Sequence, residues 1–103
     1  MKYVVSWNTR ASGSASELEA AQKHLLALFQ KWHAPDSVKF LQFLIRASDA
    51  GGYAVVETDD IAQLKRTTSI FAVNEFRIEP VLDIMDAVAT EVDAIAWRDS
   101  VSK

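Results

Sequence analysis

Gln42, Glu57, Glu75 and Arg77 are the side chains of this 103-residue chain best suited to chemistry. A carboxylate in a partly apolar cavity has its pKa raised towards the range where it moves protons near neutrality, and an adjacent guanidinium steadies an anionic or enolate oxygen. The same residues have an ordinary use, with Arg77 paired across strands or across a dimer interface on a wet face. Trp7, Asn8 and Arg10 would serve differently, as the mouth of a pocket with an indole wall and two polar handles. A Trp packed on a helix beside a solvated loop would need the same three residues. His24 and His33 are nine residues apart, which at about 100° per residue sets them on opposite sides of a helix. They cannot share a metal as a pair, and His33 suits a helix C-terminus. Asp83, Asp86 and Asp93 form a solvated acidic stripe rather than a metal site, since no His or bidentate arrangement joins them. No Ser-His-Asp order, glycine-rich phosphate loop or metal-ligand spacing is present, so neither a metal nor a cofactor is expected.

Composition narrows the classes further. Cysteine is absent, which excludes disulfides, thiolate metal sites and cysteine nucleophiles. The net charge is -3 and the eleven Lys and Arg are scattered, so no basic field exists to draw nucleic acid. Residues 1–30 lack the pattern of a leader peptide, and no apolar run approaches the roughly 20 residues of a membrane span. No membrane partner is expected, and the cytoplasm is the default location. The length fits one domain over residues 1–99, with 100–103 as a frayed tail. An apolar content of 50% is high for this size and favours a homodimer with an apolar interface over a lone monomer.

The elements that must position these residues follow from periodicity. Lys2 to Trp7 reads as a buried strand. Ser14-x-x-Glu17 and Ser16-x-x-Glu19 are overlapping capping boxes. They open a helix whose Leu18, Ala21, Leu25, Leu28, Phe29 and Trp32 draw one apolar stripe, and Pro35 ends it. Val38–Ala47 and Tyr53–Thr58 form a hairpin around Asp49-Ala50-Gly51-Gly52, where the glycines are expected to supply positive backbone angles. Asp59 or Asp60 caps a second helix carrying Ile61, Leu64, Thr68 and Phe71. Asn74–Leu82 is a strand with Phe76, Ile78 and Leu82 on one face and Glu75, Arg77 and Glu79 on the other; Pro80 marks an edge strand or its end. A third helix, about Asp83 to Arg98, carries Ile84, Val88, Val92 and Ile95 on one side. Strand, helix, strand, strand, helix, strand is the βαββαβ order of a ferredoxin-like α+β fold, with two helices on one face of an antiparallel sheet.

Strand parity sorts the faces. The set Leu41, Phe43, Ile45 and Ala47 suits the helix side and leaves Val38, Phe40, Gln42, Leu44 and Arg46 on the open face. Tyr53, Val55, Glu57, Glu75, Arg77 and Glu79 join the open face. For the first strand either Tyr3, Val5 and Trp7 or Val4, Ser6 and Asn8 face the cavity, and a one-residue bulge would exchange any set.

Three segments carry a family likeness: Trp32-His33-Ala34-Pro35, Gly51-Gly52-Tyr53-Ala54-Val55-Val56-Glu57-Thr58-Asp59-Asp60, and Glu79-Pro80-Val81-Leu82-Asp83-Ile84. Over about residues 1–90 the chain resembles an uncharacterised bacterial family, domain of unknown function 3303. That family in turn is similar to the dimeric alpha-beta barrels, in which two ferredoxin-like sheets face each other around a cavity. The likeness implies a fold and a homodimer and brings no catalytic residues. The function expected is a small-molecule or partner-binding dimer, with Trp7, Asn8, Gln42, Glu57, Glu75 and Arg77 as candidate ligand-binding residues. The alternative is a cofactor-independent monooxygenase, isomerase or decarboxylase, with an acid-base group from Glu57, Glu75 or His33 and Arg77 on an oxyanion.

Overall fold

The computed structural model describes residues 1–10 and 13–102. Its elements run β1 (Lys2–Thr9), α1 (Ala15–Lys31), β2 (Lys39–Ile45), β3 (Gly51–Glu57), α2 (Ile61–Ile70), β4 (Asn74–Val81) and α3 (Ile84–Val101). The strands form one antiparallel sheet in the order β2-β3-β1-β4. This is the ferredoxin-like α+β arrangement that the order of elements predicts. β1 and β3 are the central strands, and their Tyr3, Val5, Ala54 and Val56 are buried. β4 lies at an edge, where Pro80 needs no donor on its outer side.

The start of α1 is set by Ser14 and Glu17, the pair read as a capping box, with the Glu17 side chain bonding one residue before the cap. The Ser14 hydroxyl accepts from Glu17 N at 3.2 Å, while Glu17 Oε2 accepts from Gly13 N at 3.0 Å. The helix stops at Lys31, ahead of Pro35, and Trp32 N closes it by donating to Leu28 O and Phe29 O. Asp60 holds the cap position of α2 without a side-chain cap. Thr58 organises that junction instead: its Oγ1 accepts from Asp60 N at 3.0 Å and donates to Ser37 O at 2.8 Å. α3 runs to Val101, so Ser100 and Val101 of the tail expected to fray are helix and Ser102 caps it; Lys103 falls outside the described residues.

Two local expectations need correction. Among the described residues no glycine has a positive φ, and Gly51 and Gly52 are buried residues of β3 rather than part of the turn. Their role is close approach: a Cβ on Gly52 would lie 2.7 Å from Trp7 Cζ2 and 2.9 Å from Ile45 Cα. The turn closes through Arg46 N donating to Gly51 O at 2.8 Å and Thr9 N donating to Ala50 O at 2.9 Å. The second correction is a bulge. Phe40 pairs with Val56 and Gln42 with Val55, so Leu41 is an extra residue in β2. The parity holds beyond it, with Phe43 and Ile45 towards the helices and Gln42 and Leu44 on the open side. Before it the parity reverses, and Val38 and Phe40 join the helix-side core. Phe40 and Phe43 therefore stack on the same face, with ring centroids 5.4 Å apart and planes 19° apart. In β1, Tyr3, Val5 and Trp7 face the helices, leaving Val4, Ser6 and Asn8 on the open face.

The core is small. Among the described residues only seven apolar side chains are buried, Tyr3, Val5, Val38, Ala54, Val56, Leu64 and Phe71. α3 buries no side chain, and the chain measures 65 × 31 × 21 Å with a radius of gyration of 18.6 Å. A compact domain of about 100 residues has a radius near ~13 Å, so this helix stands away from the domain that precedes it.

Candidate functional site

Register sets the open face out in rows. Leu44, Tyr53, Ser6 and Arg77 lie side by side across the four strands, and Gln42, Val55, Val4 and Glu79 form the next row. Lys39, Glu57 and Lys2 share a third, while Asn8 and Glu75 pair at the opposite end. Glu57 faces Lys2 and Glu75 faces Asn8, so the two carboxylates are separated by about 20 Å along β1 at ~3.4 Å per residue. Gln42, Arg77 and Glu57 or Glu75 share a face without converging on one point. Trp7 is on the other side of the sheet from Asn8, so the two do not wall one pocket.

Local partners occupy most of these groups. Arg77 Nε contacts Glu79 Oε1 at 3.1 Å, and both side chains are exposed. Arg10 Nε donates to Ala72 O at 3.0 Å and Nη1 contacts Glu75 Oε1 at 3.4 Å, which ties the end of β1 to the turn before β4. At the hairpin end of the open face Arg46 gathers several neighbours. Its Nε donates to Asp49 Oδ1 at 2.7 Å, its Nη2 donates to Asn8 Oδ1, and its guanidinium lies 5.4 Å from the centroid of the Tyr53 ring. Hydrogen bonding to Asp49, then to Tyr53, holds the Arg46 pKa above its ordinary value. At the far end Lys2 Nζ donates to Asp83 Oδ1 at 2.5 Å, and this bond raises the Lys2 pKa. A hollow of about 460 Å³ lies there, lined by Lys2, Lys39, Glu57, Asp59, Asp83 and Asp86. A second hollow, about 600 Å³, is bordered by Asn8, Arg10, Ser14 and Asp49.

The most enclosing feature lies on the other face. A cavity of about 300 Å³ sits between α1, α2 and the sheet, with Trp7, Phe29, Trp32, Phe43, Phe71 and Phe76 among its walls. The rings contact one another in a chain: Trp7 to Phe43 at 5.4 Å, Phe43 to Phe29 at 5.9 Å, and Trp32 to Phe71 at 5.3 Å, all edge to face. The apolar stripe of α1 identifies Leu25, Phe29 and Trp32 as residues facing the sheet. The space between them is not readable from periodicity. One signal for it is the number of large rings assigned to a single sheet face, more than flat packing accommodates without gaps.

Chemically, the open face offers hydrogen bonds and charges of both signs, and the helix-side cavity offers apolar surface. Among the described residues no three His, Cys, Asp or Glu side chains come together as metal ligands. His24 and His33 are both exposed, one on α1 and one beyond its end. Among the described residues no helix is long and apolar enough to cross a membrane.

Comparison with known proteins yields a family model, Domain of unknown function (DUF3303), that matches residues 1–95. A search of curated proteins finds no match. Among solved structures, the de novo designed protein Foldit4 is similar over 81% of this chain and 99% of its own, at 13% identity and a TM-score of 0.32.

Proposed function

The chain belongs to the DUF3303 family, and on that premise we propose that it works as a homodimeric binding domain. Two copies meet over their open sheet faces and hold a small polar molecule between them. The observation that carries this reading is α3, 18 residues with no buried side chain. Ile84, Val88, Val92 and Ile95 share one side of it, and all four are exposed. In proteins most helical stability comes from packing an apolar face rather than from propensity. α1 and α2 already occupy one face of the sheet, and the other face exposes Leu44 and Tyr53. A second copy related by a two-fold axis covers both surfaces at once, each α3 lying against the partner's sheet.

The row of Tyr53, Ser6 and Arg77 is where a ligand fits this assembly, with Gln42 beside it. Its donors suit a small molecule bearing a carbonyl or carboxylate oxygen, which Arg77 would take once the partner excludes water. Native mass spectrometry of the full chain tests both parts. A dimer with a reproducible small-molecule adduct is expected, and Arg77→Ala should keep the dimer and lose the adduct. A monomer would remove the assembly, and a bare dimer would remove the ligand.

A further inference from the structure

We propose that Arg46, together with Asn8, is the carboxylate-binding group of the open face, and that the ligand held there is a small carboxylic acid with a second oxygen. The proposal deepens the binding reading given above and rests on it; what it adds is which end of the molecule binds, and to which side chains.

Arg46 follows β2, in the row of Gly51, Asn8 and Glu75. Its side chain crosses β3 at Gly51, where a Cβ would overlap Nη2 as well as the Trp7 carbonyl. Glycine inside a strand costs conformational entropy, and here it leaves room for a guanidinium to lie across the sheet. That guanidinium is fixed from three sides. Asp49 Oδ1 accepts from Nε at 2.7 Å, Asn8 Oδ1 accepts from Nη2, and the Tyr53 ring centroid is 5.4 Å away. Arg77 is held less closely: its side chain is 76% exposed against 23% for Arg46, and its ion pair is with the exposed Glu79. A guanidinium already held in place loses less freedom when a ligand arrives.

The pair offers donors. Asn8 gives its carbonyl to Arg46, so its exposed amide presents the NH2 group. Asp49, Asn8 and Tyr53 engage at most three of the five guanidinium N–H groups, which leaves at least two. Glu75, across from Asn8, is engaged by Arg10 at 3.4 Å. Charged and amide donors side by side, with their acceptor already used, suit a carboxylate. Ser6 lies roughly 7 Å along β1 from Asn8, and Arg77 is about 5 Å across from Ser6 on the next strand. An acid with a second oxygen at that range spans both arginines.

The test titrates the isotope-labelled full chain with para-hydroxybenzoate and with its uncharged twin para-hydroxybenzamide, following the Asn8 side-chain and the Ser6 and Tyr53 backbone amide resonances. The benzoate should shift them saturably and bind at least about tenfold more tightly than the benzamide. Arg46→Lys keeps the charge but not the fork, so the benzoate should weaken about tenfold while the benzamide is unchanged. Asn8→Asp keeps the acceptor for Arg46 and exchanges the donor for a negative charge, which should abolish the preference for the benzoate. Parental binding of both probes by Arg46→Lys, or a preference for the benzoate that survives in Asn8→Asp, would overturn the assignment. Native mass spectrometry of the same samples keeps the two readings apart. A monomer there would overturn the dimer, whereas a dimer indifferent to the charge of the probe would overturn the Arg46 site alone.

Discussion

α1 and α3 are nearly equal in length, 17 and 18 residues, yet one is held by its own domain and the other is not. Neither helix buries a side chain fully, and Leu26 of α1 is exposed off its stripe, but that stripe ends in two rings that reach the domain's own aromatics. Phe29 reaches Phe43 at 5.9 Å and Phe71 at 6.4 Å, while Trp32 reaches Phe40 at 6.0 Å and Phe71 at 5.3 Å. α3 places Ile84, Met85, Val88, Val92 and Ile95 on one side, but Trp97 and Val101 lie off that stripe, both exposed. An apolar stripe sets which side of a helix will be buried. Whether its own chain buries it depends on a free surface within reach, and the two earlier helices have taken the nearer one.

The contrast is sharpest if the aromatic contacts of α1 are removed. Phe71→Ala takes away a ring buried to 5% exposure that touches both Phe29 and Trp32. A loss of about 3–5 kcal/mol is expected, read by urea unfolding. A loss below about 1 kcal/mol would mean that α1 is not anchored by these rings. Val88→Asp with Val92→Asp attacks α3 in the same way and should have the opposite character. The domain's own unfolding should barely change, while the dissociation constant of the proposed dimer rises at least about 100-fold by sedimentation. Unfolding of the domain itself would place α3 in the core of its own chain and erase the distinction.

Smaller changes separate the starts of the two helices. Ser14 caps α1 with a real hydrogen bond, so Ser14→Ala should cost about 1 kcal/mol. Asp83 stands at the cap position of α3 without one, so Asp83→Ala should cost less, acting through its bond to Lys2. That bond has a pH signature. It raises the Lys2 pKa above the ordinary 10.5, so its stabilisation is complete below that value and fades as pH rises through the raised one. The melting temperature of the parent should exceed that of Lys2→Met at about pH 9, with the gap closing at higher pH. A gap that widens with alkali would disprove the assignment.

Much of this architecture is legible residue by residue. The alternation Phe76, Arg77, Ile78, Glu79 declares which face of β4 is covered, and Ser14 with Glu17 announces where α1 begins. The bulge is not legible, because Leu41 is as large and apolar as its neighbours and nothing local marks it as the extra residue. Gly51 and Gly52 read as turn residues by type, while their reason for being glycine lies across the sheet in Trp7 and Ile45. Type and parity single out the candidate residues of the open face, but their separation depends on register, which places Glu57 and Glu75 at opposite ends. The helix-side cavity depends on how far α1 stands from the sheet, a distance that no periodicity encodes.

The extra residue in β2 also bears on how this chain tolerates changes of length. Deleting a residue from the middle of a strand normally turns everything on one side of the gap over, which ruins the sheet. Here removal of Leu41 would restore an unbroken ladder, with Phe40 still opposite Val56 and Gln42 still opposite Val55. Both neighbours would keep the faces they now occupy. Relatives one residue shorter within this strand can therefore share the same fold, whereas a one-residue gap anywhere in β1 or β3 would invert part of the central sheet.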